Sequence, residues 1–169
     1  MEIRIEHLRS SHNRAAFSCG AEPLDRYLKH QASQDVSRRA AACFVAVDAD
    51  DTNDATVIGF YTLSASAIPL TDLPETITRK LPRYPSVPVA LIGRLAIDQG
   101  AQGRKLGAAL LGDAARRVVQ SDLMAYALVV DAKDENAEAF YTHHGFIRLP
   151  SASGIRLFLP LASIARAIG

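Results

Sequence analysis

Apolar positions along this chain recur with two different periods, and together they predict a mixed α/β fold. "EIRIEH" (2–7) alternates polar and apolar residues, as a half-buried first strand does. "AEPLDRYLKHQASQDVSRR" (21–39) reads as a helix with Pro23 in its first turn. Leu24, Tyr27, Leu28, Ala32 and Val36 form its apolar stripe. "ACFVAV" and "TVIGFYTLSA" are strands on either side of the acidic turn "DADDTND" (48–54), which makes them a predicted hairpin. Pro69, Pro74, Pro82 and Pro85 then allow at most a short helix.

"VPVALIGRLAID" is a long apolar strand, and its interior Gly93 marks a bulge or a close approach by another group. Arg104 to about Ser121 is a helix with Leu106, Leu110, Leu111, Ala114 and Val118 on one face. "AYALVVDA" is continuously apolar, as a strand buried on both faces is. "DENAEAFYTHH" is a short helix stopped by Gly145. "FIRL", "IRLFL" and the helical "LASIARAI" complete the chain. The order β-α-β-β-loop-β-α-β-α-β-β predicts a central mixed sheet flanked by helices on both faces.

Composition narrows this picture only slightly. With 169 residues, 49% apolar and 22% charged, the expectation is a single domain over 1–169. No apolar run nears the ~18–20 residues that span a bilayer, and no signal peptide is expected. Two cysteines make no disulfide framework, so a cytoplasmic location is expected. Net charge is +1, yet residues 76–97 hold Arg79, Lys80, Arg83 and Arg94 without an acid. Either this is solvated surface or it is a local patch for a polyanion.

Candidate chemistry concentrates where an apolar strand runs into "DQGAQGRKLGAALL" (98–111). Successive loop amides and a helix N-terminus together attract an anion such as a phosphate. Gly103 and Gly107 permit close backbone approach, while Gln102, Arg104 and Lys105 add donors and charge. On these residues alone, a simple turn with a tightly packed helix explains the glycines equally well.

"QGRKLGAALL" resembles the acetyl-CoA diphosphate loop of the GNAT superfamily of N-acetyltransferases, with pattern Gln/Arg-x-x-Gly-x-Gly/Ala. Gln102 and Gly107 match it, and Lys105 stands where its first glycine would be. "LIGRLAID" resembles the superfamily's central strand. Asn136, Ala139, Phe140, Tyr141, Gly145 and Phe146 match its later helix and cap. Residues 17–48, opening "FSCGAEPLDRYL", are similar to the tRNA-acetylating toxins of bacterial toxin–antitoxin pairs. The resemblance implies a GNAT acyl-CoA N-acyltransferase fold and acetyl transfer from acetyl-CoA to the α-amine of aminoacyl-tRNA. It further implies a homodimer and a ribbon-helix-helix antitoxin.

Under that resemblance Tyr141 is the catalytic acid that protonates the departing thiolate, although it also suits a core-edge position beside Phe140 and His144. Backbone amides from Leu95, Ala96 and Ile97 would meet the thioester carbonyl. Gln102, Gly103, Arg104, Lys105, Leu106, Gly107 and Ala108 would hold the diphosphate. Asn136 and Phe140 would touch the pantetheine arm, or Asn136 would simply cap its helix.

No glutamate stands out as a base. At pH 7 a lysine amine is ~0.04% free, against ~10–20% for an α-amine, which favours an α-amine acceptor. Arg38, Arg39, Arg79, Lys80, Arg83 and Arg94 are candidates for tRNA phosphates, although Arg94, lying within the strand, better suits ordering the active-site floor or an inter-subunit contact. Adjacent His143 and His144 diverge on a helix, so no metal site is expected. Cys19 lacks an ordered His or Asp partner that would make it a nucleophile. Two alternatives stay open: acetylation of a small amine or protein, and a non-catalytic acyl-CoA-binding module suggested by Lys105.

Overall fold

The computed structural model describes residues 2–51, 55–150 and 154–168. Its strands are β1 (Ile3–His7), β2 (Ala42–Asp48), β3 (Val57–Pro69), β4 (Ser86–Ile97), β5 (Ala127–Ala132), β6 (Ile147–Leu149) and β7 (Ile155–Pro160). Its helices are α1 (Glu22–His30), α2 (Ala32–Ser37), α3 (Glu75–Thr78), α4 (Leu106–Gln120), α5 (Glu135–His143) and α6 (Ala162–Ile168). The sheet order is β1-β2-β3-β4-β5-β7-β6. The pairs β1–β2, β2–β3, β5–β7 and β6–β7 are antiparallel, and β4–β5 is parallel. The mixed sheet expected from the sequence is therefore present. No helix of the described residues is long and apolar enough to cross a membrane. Residues 52–54 of the predicted acidic turn lie outside the described residues.

Contacts gather into two compact units, Met1–Ser64 with Gly93–Ala114 and Ala65–Ile92 with Ala115–Gly169. In the first, Phe17, Tyr27, Leu28, Ala32, Val45 and Phe60 form the core. The predicted helix over 21–39 is broken at Gln31, whose φ of −122° is not helical. The break turns Val36 out of the expected stripe, and it is exposed. In the second unit Ile68, Val89, Val129, Leu149 and Phe158 form the core. The four residues Ala127 to Val130 are all buried, as the unbroken apolar run predicts.

A polar knot closes the first strand of unit one. The Arg9 N–H donates to His12 Nδ1 at 2.9 Å, so His12 Nε2 carries the proton it shares with Glu6 at 3.0 Å. Arg9 donates to the same carboxylate at 2.8 Å. Burial pulls the Glu6 acid upward, but His12, Arg9 and Arg4 outweigh it and hold the group at about 2. Because the folded value lies below the unfolded one, this stabilisation is present above pH ~4.5 and fades as pH falls toward 2. Glu6→Gln should cost about 1–2 kcal/mol at pH 7, and thermal melts should show the deficit shrinking steadily from pH ~4.5 down to pH ~2. A deficit of equal size at pH ~2 would disprove this assignment.

Candidate active site

The loop after β4 is held by partners far away in sequence. The Asp98 carboxylate accepts from the Gly100 N–H at 2.9 Å and from the Ser18 N–H at 2.9 Å. The Gln99 N–H donates to the Ser18 carbonyl at 2.8 Å, and the Asp98 N–H donates to the Ile58 carbonyl at 2.9 Å. Ile58 sits where the β2–β3 register shifts, so a bulged residue provides the anchor. The Gln102 side chain folds back to donate to the Ile97 carbonyl at 3.3 Å. This clamp includes residues the sequence reading did not single out. Asp98 two residues before Gly100 was the available local signal, since an Asx turn uses that spacing.

The turn into α4 uses two left-handed residues, Gly103 (φ +83°) and Lys105 (φ +59°). The pattern's first glycine, where Lys105 stands, has a physical reason: the backbone there needs positive φ. Lys105 adopts that conformation at a cost of about 1–2 kcal/mol. The departure from the pattern therefore leaves the loop path intact, and the argument for a non-catalytic module loses its basis. Gln102 to Lys105 are exposed, whereas Leu106 and Gly107 are buried.

The start of α4 is seated on β3. A Cβ added at Gly59 would lie 3.2 Å from Leu106 Cδ2 and 3.4 Å from the Ala96 carbonyl. Deeper in the helix, the Tyr61 hydroxyl donates to buried Asp113 at 2.6 Å. The first amides of α4, on Leu106, Gly107 and Ala108, have no intrahelical acceptor, and its first turn holds no acid. Such a terminus suits a diphosphate, and the donor set fits the expected group. Gly93 marks a close approach, since a Cβ there would meet Thr62 Oγ1 at 3.2 Å. Register between β4 and β5 runs from Val89 to Ile92, so Leu95, Ala96 and Ile97 lie beyond it.

In the second unit, the Asp134 side chain accepts from the Ala137 N–H at 2.8 Å and caps α5. Asn136 is thus not the cap, one of its two readings, and stands exposed in the first turn. Gly145 (φ +94°) ends the segment as expected. Tyr141 is 7% exposed and packs against Phe140 and Phe146 at ring distances of 5.1 and 5.4 Å. Burial pushes its phenol up to about 12. The hydroxyl therefore stays protonated across the physiological range and is always loaded as a donor.

The candidate cations separate by surroundings. Arg38, Arg39, Arg79, Lys80 and Arg83 are exposed, with Arg79 near Glu75 at 3.7 Å. Arg94 is half-buried, its guanidinium 3.6 Å above the Tyr27 ring, a contact worth about 0.5–2 kcal/mol. The "FSCG" segment is structural: Phe17 is core, Gly20 is left-handed, and the Cys19 N–H donates to Asp25 at 2.9 Å. Burial and Asp25 push the Cys19 thiol up, which suits a thiol better than a nucleophilic thiolate. Among the described residues no three His, Cys, Asp or Glu side chains gather as metal ligands would.

The β4 strand, the left-handed turn and the acid-free helix terminus form a candidate anion-binding end. The chain belongs to the Acetyltransferase (GNAT) family, which it matches over residues 5–146. It is 34% identical to the probable toxin TacT of Sinorhizobium fredii (strain NBRC 101917 / NGR234), covering 94% of this chain and 90% of that one. Identity to a tRNA-acetylating toxin of Mycobacterium tuberculosis (strain ATCC 25618 / H37Rv) is 38%, over 78% and 76% of the two chains.

Among solved structures, AtaT complexed with acetyl-methionyl-tRNAfMet matches with a TM-score of 0.90 and 29% identity, covering 99% and 100% of the chains. AtaTR bound with acetyl-CoA matches at 0.84 and 29%, covering 99% and 98%. A Tyr-to-Phe mutant of AtaT bound to the C-terminus of the antitoxin AtaR matches at 0.82 and 27%, covering 98% and 97%.

Removing the strain at position 105 should stabilise the fold. Lys105→Gly relieves about 1–2 kcal/mol of left-handed penalty and returns about 0.4–1 kcal/mol to the unfolded chain. Differential scanning calorimetry should show Tm higher by about 1–4 °C. A lower Tm would mean the lysine side chain itself stabilises the loop.

Proposed function

We propose that this chain is a toxin N-acetyltransferase that transfers acetyl from acetyl-CoA to the α-amine of aminoacyl-tRNA and so blocks translation. The whole-chain likeness to AtaT in complex with acetyl-methionyl-tRNAfMet carries this reading. The AtaT structures with acetyl-CoA and with AtaR support the donor and a cognate antitoxin. The proposal extends to one acetyltransferase domain over 1–169, acting in the cytoplasm as a homodimer and neutralised by a ribbon-helix-helix antitoxin.

Each part of the machinery answers a chemical need. The backbone of Gln102 to Ala108 takes the diphosphate, and Asn136 and Phe140 line the pantetheine arm. Acetyl-CoA, when bound, supplies an acyl carbon activated by its thioester. Amides of Leu95, Ala96 and Ile97 receive the charge that develops on the carbonyl oxygen as the C–N bond forms. As the C–S bond breaks, Tyr141 delivers its proton to sulfur and recovers one that the amine releases through water. Arg38, Arg39, Arg79, Lys80, Arg83 and Arg94 are the phosphate contacts for tRNA.

Incubation with acetyl-CoA and charged tRNA should yield N-acetyl-aminoacyl-tRNA by mass spectrometry. A small amine or peptide acetylated in its place would favour the alternative acceptor. Tyr141→Phe should lower turnover ~10²–10⁴-fold while calorimetric affinity for acetyl-CoA changes little. In the pH–rate profile, the rising limb should follow the substrate α-amine near ~8, and no limb should come from Tyr141 below pH ~10.

A further inference from the structure

We infer that Arg94 binds the phosphodiester adjoining the aminoacylated end of the acceptor and is the residue that selects a phosphate-bearing acceptor. This rests on the aminoacyl-tRNA reading above. Arg94 immediately precedes Leu95, the first residue proposed to meet the thioester carbonyl, so its side chain starts ~3.8 Å along β4 from that residue. Tyr27 covers one face of the guanidinium at 3.6 Å and holds it in place. The acid whose field it feels, Asp35, makes its direct hydrogen bonds to other groups. One Asp35 oxygen accepts from the Tyr27 hydroxyl at 2.7 Å and the other from Gln31 at 2.9 Å. Those two bonds, Gln31 first, with the fields of Arg94 and Arg38, hold the Asp35 carboxyl below its ordinary range.

Among the described residues no acceptor bonds the Arg94 N–H groups, and no buried side-chain nitrogen lacks a partner. The fork of donors is therefore open to solvent. A stacked, weakly hydrated guanidinium with free donors matches two oxygens of a phosphate. The chemistry of the acceptor selects phosphate over carboxylate. In a charged tRNA the amino acid's carboxyl is consumed in the ester, so the nearest anion to the α-amine is the phosphodiester of the terminal nucleoside. The exposed Arg38, Arg39, Arg79, Lys80 and Arg83 have no comparable backing and suit sequence-independent backbone contact.

The experiment compares wild type with Arg94→Met and Arg94→Lys on charged tRNA and on a phosphate-free 3′-O-aminoacyl-adenosine. Wild type that fails to acetylate charged tRNA sinks the function reading itself, before any variant is made. Given that activity, Arg94→Met should raise KM for charged tRNA ~10–100-fold. It should also shrink the preference over the phosphate-free acceptor by the same factor. The slope of log affinity for charged tRNA against log salt should fall by about 0.7, one single-strand phosphate contact. Calorimetric affinity for acetyl-CoA should stay within about twofold. Should Arg94→Met melt prematurely, Arg94→Lys decides: it keeps the salt slope yet raises KM, since lysine lacks the planar fork. Wild-type KM, preference and slope in the folded variant overturn the proposal.

Discussion

A helix terminus binds an anion well only if its first amides are already aimed when the anion arrives, and this constraint governs the residues from 98 to 107. Ordering a backbone residue costs roughly 1–2 kcal/mol, and here folding covers that cost before any ligand binds. Asp98 ties the loop to Ser18 and itself to Ile58, while Gly59 lets Leu106 sit close on β3. The left-handed turn at Gly103 and Lys105 then delivers the chain into α4. Each contact restrains a different degree of freedom, so the amides are preorganised.

The N-terminal segment acquires a physical role from this arrangement. Phe17 anchors it in the core, and Ser18 presents both its N–H and its carbonyl to the loop after β4. Leu24, Tyr27 and Leu28 pack α1 on the same core, which places the Tyr27 ring beneath Arg94. The segment that resembles the toxin branch is thus the one that buttresses the β4 end of the site. On the other unit, the environment of Tyr141 is apolar and aromatic. That setting keeps the phenol protonated at physiological pH.

Much of this was legible in local patterns. Period-two and period-three-to-four apolar spacing marked seven strands and the main helices because each depends on residues a few positions apart. The cap at Gly145 and the glycine loop were readable for the same reason. The continuous helix over 21–39 was misread because nothing local distinguishes Gln31 from its neighbours. The structure shows the break in the Gln31 dihedrals, with Leu28 and Ala32 buried on either side of it. Asn136 and Asp134 both suited a cap, and three-dimensional geometry chose Asp134.

The residues by themselves determined the order of elements and the glycine-containing turn before a helix, since those follow from short-range spacing; the anion site and the phenol's role came from the family resemblance. Tertiary structure alone decided that Lys105 takes a glycine's conformation and that Asp98 reaches Ser18 across 80 positions. It alone decided that Arg94 stacks on Tyr27 while Asp35 is engaged elsewhere. Contacts of that kind join residues distant in the chain, and no spacing rule records them.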